Sequence, residues 1–348
     1  MFLPVKRAPC AAVLSRLMDA IQAILEDSVR TLFRTPDFPA LADEVGPEFG
    51  PLLSSGKVRS AIEGIFRLLY PQRLEICNAF KNDAAFDRHI NDEAYHLSGL
   101  SQDSAKALRA LLNPLYTAVR KGFPPGGAPQ FSGQLLRQQY AAANDRLGRV
   151  CPVCVGEILF TQGEGENDHY FPRSKFPTLT LHPCNLLPIC PNCNGPSFKH
   201  EKNPVAAANA GPGELQTVFL PYLRPARPEV TLGVGVDGRI VMTPSPGAGQ
   251  YTAQRIKNLD RLYRLTDRWS EILSNVCDDI EAEWQTICEQ HETSAERLAS
   301  LRQLLRRHVG STRDRREFIK GVYCEWLLTK NDAVLVRWVS SYRRLRVE

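Results

Sequence analysis

Two Cys-x-x-Cys pairs constrain this chain more than any other feature. Cys151-Pro152-Val153-Cys154 and Cys190-Pro191-Asn192-Cys193 bracket a stretch crowded with Cys, Pro, Asn and His and holding only short apolar runs. So few apolar residues cannot build a core unaided, and a small fold organised around a metal is the natural reading of residues 151–204. Zinc takes four ligands in a tetrahedron and thiolate suits it, so Cys151, Cys154, Cys190 and Cys193 are the expected ligands of a structural Zn2+. A redox-active pair is the alternative. Thioredoxin-like motifs use one such pair at a helix start, whereas here there are two, each with Pro after its first Cys. The gap between the pairs is wider than in a simple zinc ribbon, so something else must fold between them.

At 348 residues the chain exceeds one typical core, and two or three domains are expected. Residues 1–122 read as an all-helical domain. Apolar residues recur at three- and four-residue steps from 8 to 33 (Val13, Leu14, Leu17, Ile21, Leu25), with Pro36 and Pro39 ending that helix. A second block runs from Val58 to Phe80, interrupted by Pro71, and a third from Ser101 to Arg120, with Ser101 or Ser104 as cap. The Pro/Gly-rich run from Phe123 is a break, and residues 123–150 form a linker and one helix, Gln134–Arg146. Residues 205–348 begin with an Ala/Gly-rich linker. A β-hairpin about Asp237-Gly238 follows, then three helices from Thr252, with breaks near Thr293–Ser294 and Gly310–Ser311.

The other six cysteines (Cys10, Cys77, Cys184, Cys277, Cys288, Cys324) are scattered and read as small buried hydrophobes. No apolar run is long enough for a membrane span and no secretory leader is evident, which points to a reducing, cytoplasmic setting. A formal net charge of +5 suits a polyanionic partner. The basic clusters are local: Arg302, Arg306 and Arg307; Arg313, Arg315 and Arg316; Arg343, Arg344 and Arg346. They read either as a solvated helix face or as a surface for a DNA backbone.

Between the Cys pairs lie Asp168-His169 and Asn185, and Asn194 directly follows Cys193. Phosphodiester hydrolysis needs a water, a base to activate it and charge neutralisation at the phosphate. A hard divalent ion held by a carboxylate and an amide oxygen supplies the neutralisation, and a neutral His the base. Asp168 and His169 offer ligand and base from adjacent positions. On an extended backbone they point to opposite faces, so a bend must redirect them.

Over residues 151–204 the chain resembles the HNH nucleases of the His-Me-finger (ββα-metal) group. The matching residues are the four cysteines, Asp168-His169 with Tyr170-Phe171-Pro172-Arg173-Ser174-Lys175 after it, Asn185, Asn194 and Lys199. The resemblance implies that His169 is the general base and that Asp168 and Asn194 bind catalytic Mg2+ or Mn2+. Asn185, on the second strand, would hold the loop carrying His169. Arg173, Lys175 and Lys199 are expected at substrate phosphates. Lys199 departs from the family's pattern, in which the Lys follows the last Asn more closely, and Pro196 implies a later helix start. The expected fold is mostly α, with a small zinc-stabilised α+β module and a short β-hairpin region.

The resulting expectation is an endonuclease hydrolysing DNA, with RNA not excluded. Similar modules with helical flanks occur in bacterial anti-phage and restriction-type systems, some paired with an ATPase. A regulatory protein partner of that kind or a homo-oligomer is therefore expected to restrain the activity. A zinc-containing nucleic-acid-binding scaffold without catalysis is the rival reading. A thiol redox protein is a third.

Overall fold

In a computed structural model, residues 2–31, 35–53, 55–124, 130–205 and 215–337 are described. The periodicity of the first third becomes five helices. Helix α1 (Ala12–Arg30) buries the stripe read from the sequence, including Val13, Leu14, Leu17, Ile21 and Leu25. Helix α2 (Phe38–Leu53) falls where prolines argued for a break. Gly46, at φ 78°, kinks it, and Pro47 then sits in the first turn of the second half, where a missing N–H costs nothing. Helices α3 (Gly56–Arg67) and α4 (Tyr70–Ala84) are separated by extended Leu68 and Leu69, so Pro71 opens α4 rather than interrupting a helix. Ser101 precedes α5 (Gln102–Lys121) as expected. Its hydroxyl is spent on Glu75 Oε2 (2.7 Å) instead of capping the backbone. Ser132 caps α6 (Gly133–Ala143) through the Leu135 N–H at 3.0 Å.

The segment between the Cys pairs contains strand β1 (Glu166–His169), antiparallel to β2 (Leu186–Ile189), with Asp168 opposite Leu187 and His169 opposite Leu186. One helical turn, α7 (Pro191–Asn194), follows. The longer helix expected from Asn194 onward does not form in residues 195–205. Gly195 is extended, as a residue before proline prefers, and turns follow. Asn185 ends a 3-10 turn (Pro183–Asn185) just before β2, rather than lying on the strand.

The hairpin is present as β3 (Val230–Val234) and β4 (Ile240–Pro244), with Gly238 in its turn at φ 70°. Among the described residues four helices, instead of three, run from Thr252 to Leu328: α8 (Thr252–Tyr263), α9 (Leu265–Gln290), α10 (Ser294–His308) and α11 (Arg315–Leu328), and residues 332–337 are helical as well. The extra break is Arg264, a left-handed residue at φ 49° whose guanidinium is anchored on Asp267 Oδ2 (3.0–3.1 Å). Arg343, Arg344 and Arg346 lie outside the described residues.

The apolar core crosses the boundaries drawn from sequence. The Phe2 ring meets Trp269 of α9 (centroids 5.0 Å apart) and Phe318 of α11 (5.5 Å), while the Phe2 and Leu3 amides donate to the Pro152 carbonyl. The first residues of the chain thus tie the Cys segment to the C-terminal helices. The structure is mostly helical with two small antiparallel sheets, and among the described residues no helix is long and apolar enough to cross a membrane.

Candidate metal centre and adjoining cavity

The four cysteines meet. Their sulfurs lie within 4.8 Å of one another and all four residues are buried. In each pair the backbone turns tightly around the sulfurs. Val155 adopts φ 59° as its N–H reaches the Cys151 carbonyl (2.9 Å), and the Cys193 N–H donates to Cys190 Sγ (3.3 Å). Cys154 and Cys190 Sγ are 3.7 Å apart, against about 3.8 Å for two sulfurs bound tetrahedrally to one zinc. The cluster could therefore hold a metal ion. The remaining cysteines form no disulfide and are buried, except half-buried Cys288.

Two arginines from the C-terminal helices reach this cluster; Arg268 was not singled out in the sequence, and Arg315 was read there only as part of a basic run. Arg268 of α9 donates to Cys193 Sγ (3.3 Å) and stacks over Phe198 (4.4 Å). Arg315, the first residue of α11, donates to Cys154 Sγ (3.0 Å), and Trp269 Nε1 donates to the Cys154 carbonyl (3.2 Å). Hydrogen bonds from the other three thiols hold Cys154 well below the ordinary thiol range, with Arg315 adding to the effect. Four thiolates on one divalent ion carry two net negative charges, and two guanidiniums balance them.

Beside the cluster lies a cavity of about 520 Å3, lined by Asp168, His169, Asn194 and Arg173 together with Tyr116 and Arg120 of α5, Arg137 of α6, and Glu166, His200 and Glu201. Asp168, His169, Asn194 and Arg173 are thus brought to one cavity. Arg120 and Arg137 were not anticipated, because the helices that present them are remote in sequence from the Cys segment; Glu201, in a turn just after α7, was not anticipated either.

His169 ends β1 and is buried. Its Nε2 lies 2.9 Å from the Thr180 carbonyl. A carbonyl only accepts, so Nε2 carries the proton and Nδ1 keeps its lone pair. The Tyr116 ring meets the imidazole edge to face at 4.6 Å. Burial, with Arg173 second, lowers the His169 pKa to about 3, so the ring is neutral at pH 7. Asn185 fixes the loop between. Its Oδ1 accepts from Phe171 N–H (2.7 Å) and its Nδ2 donates to the Phe171 and Leu179 carbonyls (3.1 and 2.9 Å). Thr178, in the same loop, donates to Asp83 of α4 at 2.5 Å, so the helical region also holds the element that carries Thr180.

The expectation for Lys199 fails on geometry. Its side chain is buried, and Nζ sits 2.6 Å from Asp168 Oδ1 and 2.5 Å from the His169 carbonyl, so it cannot meet a phosphate in solvent. The turn through Pro196–Phe198 lets residue 199 fold back beneath β1. Lys175 is exposed and does not line the cavity. Asp168 Oδ2 is buried with no hydrogen-bond partner. Burial pushes the Asp168 carboxyl up against the pull of Lys199, and Glu166 and Glu201 push the same way. Asn194 Nδ2 donates to Glu166 Oε2 (2.5 Å), leaving its amide oxygen for another ligand. Compared with known proteins, the chain matches no family model, no curated protein and no solved structure.

Proposed function

We propose that the chain is a metal-dependent endonuclease that hydrolyses DNA phosphodiester bonds in this cavity, with Zn2+ on the four cysteines as a structural element. The observation that carries the reading is the presence, on adjacent residues lining one cavity, of a neutral imidazole held through Nε2 and a buried carboxylate oxygen lacking a partner. The orphaned Asp168 Oδ2 and the free amide oxygen of Asn194 fit a hard cation, Mg2+ or Mn2+. When bound, that ion supplies charge neutralisation at the phosphate and the leaving oxygen.

The chain's own groups do the rest. The Thr180 carbonyl holds the imidazole in the Nε2–H tautomer, and Nδ1 takes the proton of the attacking water. Arg120, Arg137 and Arg173 line the same cavity and draw the phosphate in. Asn185 keeps the His169 loop from shifting. One observation favours the non-catalytic scaffold instead: Lys199 already neutralises one oxygen of Asp168. Cleavage of supercoiled, linear and single-stranded DNA with Mg2+ or Mn2+ separates the two. His169→Ala is expected to cut about 10^3-fold more slowly than wild type with its fold unchanged. Equal cutting by both proteins removes His169 from the chemistry.

A further inference from the structure

A second groove, about 1,190 Å3, opens next to the cavity between the end of α6 and the turn joining α10 to α11. Four exposed arginines line it: Arg146 and Arg149 from one side, Arg307 and Arg313 from the other. The chain's basic runs sort themselves here. Arg302 is paired with Asp332 (2.5 Å), Arg316 with Asp279 (2.7 Å), and Arg315 is turned inward to Cys154. Among the described residues, none of the four groove arginines has an acid within ion-pair distance. Two acids also line the groove. These are Asp145 and Glu317, the latter 3.7 Å from His308, so four arginine cations outnumber two carboxylates.

Groove and cavity have no lining residue in common, but α6 and the Phe160–Gly165 contact connect them. Arg137 of α6 lines the cavity and Ala141 and Ala142 line the groove, which separates them by about 6–7.5 Å along the helix. Phe160 lines the groove and Gly165 the cavity, and a Cβ on Gly165 would lie 2.5 Å from the Phe160 ring. Duplex DNA carries about one phosphate per 1.7 Å of its axis, so a duplex at the cavity mouth presents several phosphates within this span. Phe160 is buried, so the groove offers no exposed Phe, Tyr or Trp on which unpaired bases could stack.

The geometry points to this groove as the binding surface for the sugar-phosphate backbone of a duplex flanking the cavity, held by Arg146, Arg149, Arg307 and Arg313. The assignment rests on the nuclease reading for its choice of polyanion, but binding tests it without turnover. The probes are a fluorescein-labelled DNA duplex, the matching single strand and an RNA hairpin, titrated without added Mg2+ or Mn2+ and with zinc retained, using the whole chain carrying His169→Ala. Changing all four arginines to Gln is expected to weaken duplex binding about 30-fold near 0.1 M salt and to flatten the log–log salt dependence by about 3–4. The pairs Arg146→Gln/Arg149→Gln and Arg307→Gln/Arg313→Gln should each give part of that loss. Unchanged affinity and slope in a quadruple variant with wild-type circular dichroism and zinc content overturn the groove. So does a loss confined to the single strand or to RNA. If the unmodified protein cuts no substrate with any divalent ion, the nuclease reading fails while the duplex titration still decides the groove.

Discussion

The cysteine cluster and the cavity both bury negative charge, and each imports cations from residues distant in sequence, but they differ in what remains unsatisfied. At the cluster, Arg268 and Arg315 contact two of four sulfurs, and the four thiols still need a cation among them if all are to ionise. At the cavity, Lys199 takes one oxygen of Asp168 and leaves the other bare. An ion bound by all four sulfurs would complete the first arrangement and make folding and metal binding one event there. The second is already a closed ion pair, with one buried carboxylate oxygen left unpartnered on a residue that lines the cavity.

That contrast breaks most visibly at a cysteine. Cys151→Ser removes one of four ligands, and structural zinc is worth about 10–16 kcal/mol of apparent folding free energy in small domains. A whole domain commonly has only about 5–15 kcal/mol to spare. Loss of bound zinc and loss of cooperative unfolding are therefore expected together, read by metal analysis and thermal denaturation. Cys277→Ala, a buried cysteine outside the cluster, should cost about 1–2 kcal/mol and leave the zinc in place. Equal effects of the two would remove the metal from the cluster's stability.

At the cavity the corresponding variant is Lys199→Met. It leaves the Asp168 carboxylate buried and uncompensated, which costs about 3–5 kcal/mol. Urea unfolding should record that loss, and adding Asp168→Asn should restore most of it, because the stranded charge is then gone. A Lys199→Met protein as stable as wild type would mean that water or a cation, not Lys199, balances Asp168.

The imidazole gives a smaller, pH-resolved effect. The His169 pKa is lowered to about 3, from about 6.5 in an unfolded chain. Between those values the unfolded chain binds the proton and the folded one does not. Its contribution is therefore complete above pH 6.5 and is lost as pH falls toward 3. Buried Asp83 and Asp168, whose carboxyls are pushed up, work in the opposite direction at the acid end, so the test is differential. His169→Gln keeps an N–H for Thr180. Its unfolding free energy should fall less steeply than wild type between about pH 6 and 4, by up to one proton in slope. Parallel curves would place His169 in contact with solvent.

The two regions also differ in how far they can be read from sequence. The sulfur ligands are legible because Cys-x-x-Cys spacing encodes its own tight turn, and little beyond a second such turn is needed. The hairpin and most helices follow from patterns of similarly short range. Helix α2 does not, because Pro47 beside Gly46 signals a breaker and only the kink makes it a new helix start. Arg264 carries no Gly or Pro mark, yet it divides α8 from α9. At the cavity, His169, Asp168 and Asn194 are legible as a set, but their surroundings are not. Lys175 and Lys199 look alike on paper, and only the fold sends one to solvent and the other under Asp168. Arg137 and Arg120 arrive on helices with no motif of their own.

The same limit applies to Arg315, which a sequence cannot tell from Arg313 or Arg316, and a small substitution addresses its contact with the cluster. A Cβ on Gly156 would lie 2.5 Å from Arg315 Nη2 and 3.4 Å from Cys154 Sγ. The clash is with the far end of a flexible side chain, so the backbone has no need to move and the guanidinium swings off the sulfur. Gly156→Ala should then loosen zinc only a few-fold, measured by competition with a chromophoric chelator, against about 10-fold for Arg315→Met. Outer contacts tune a metal site without building it, so neither variant should unfold the chain as Cys151→Ser does. Zinc held as tightly in both as in wild type would show that Arg268 alone balances the thiolates and that Arg315 serves only to start α11.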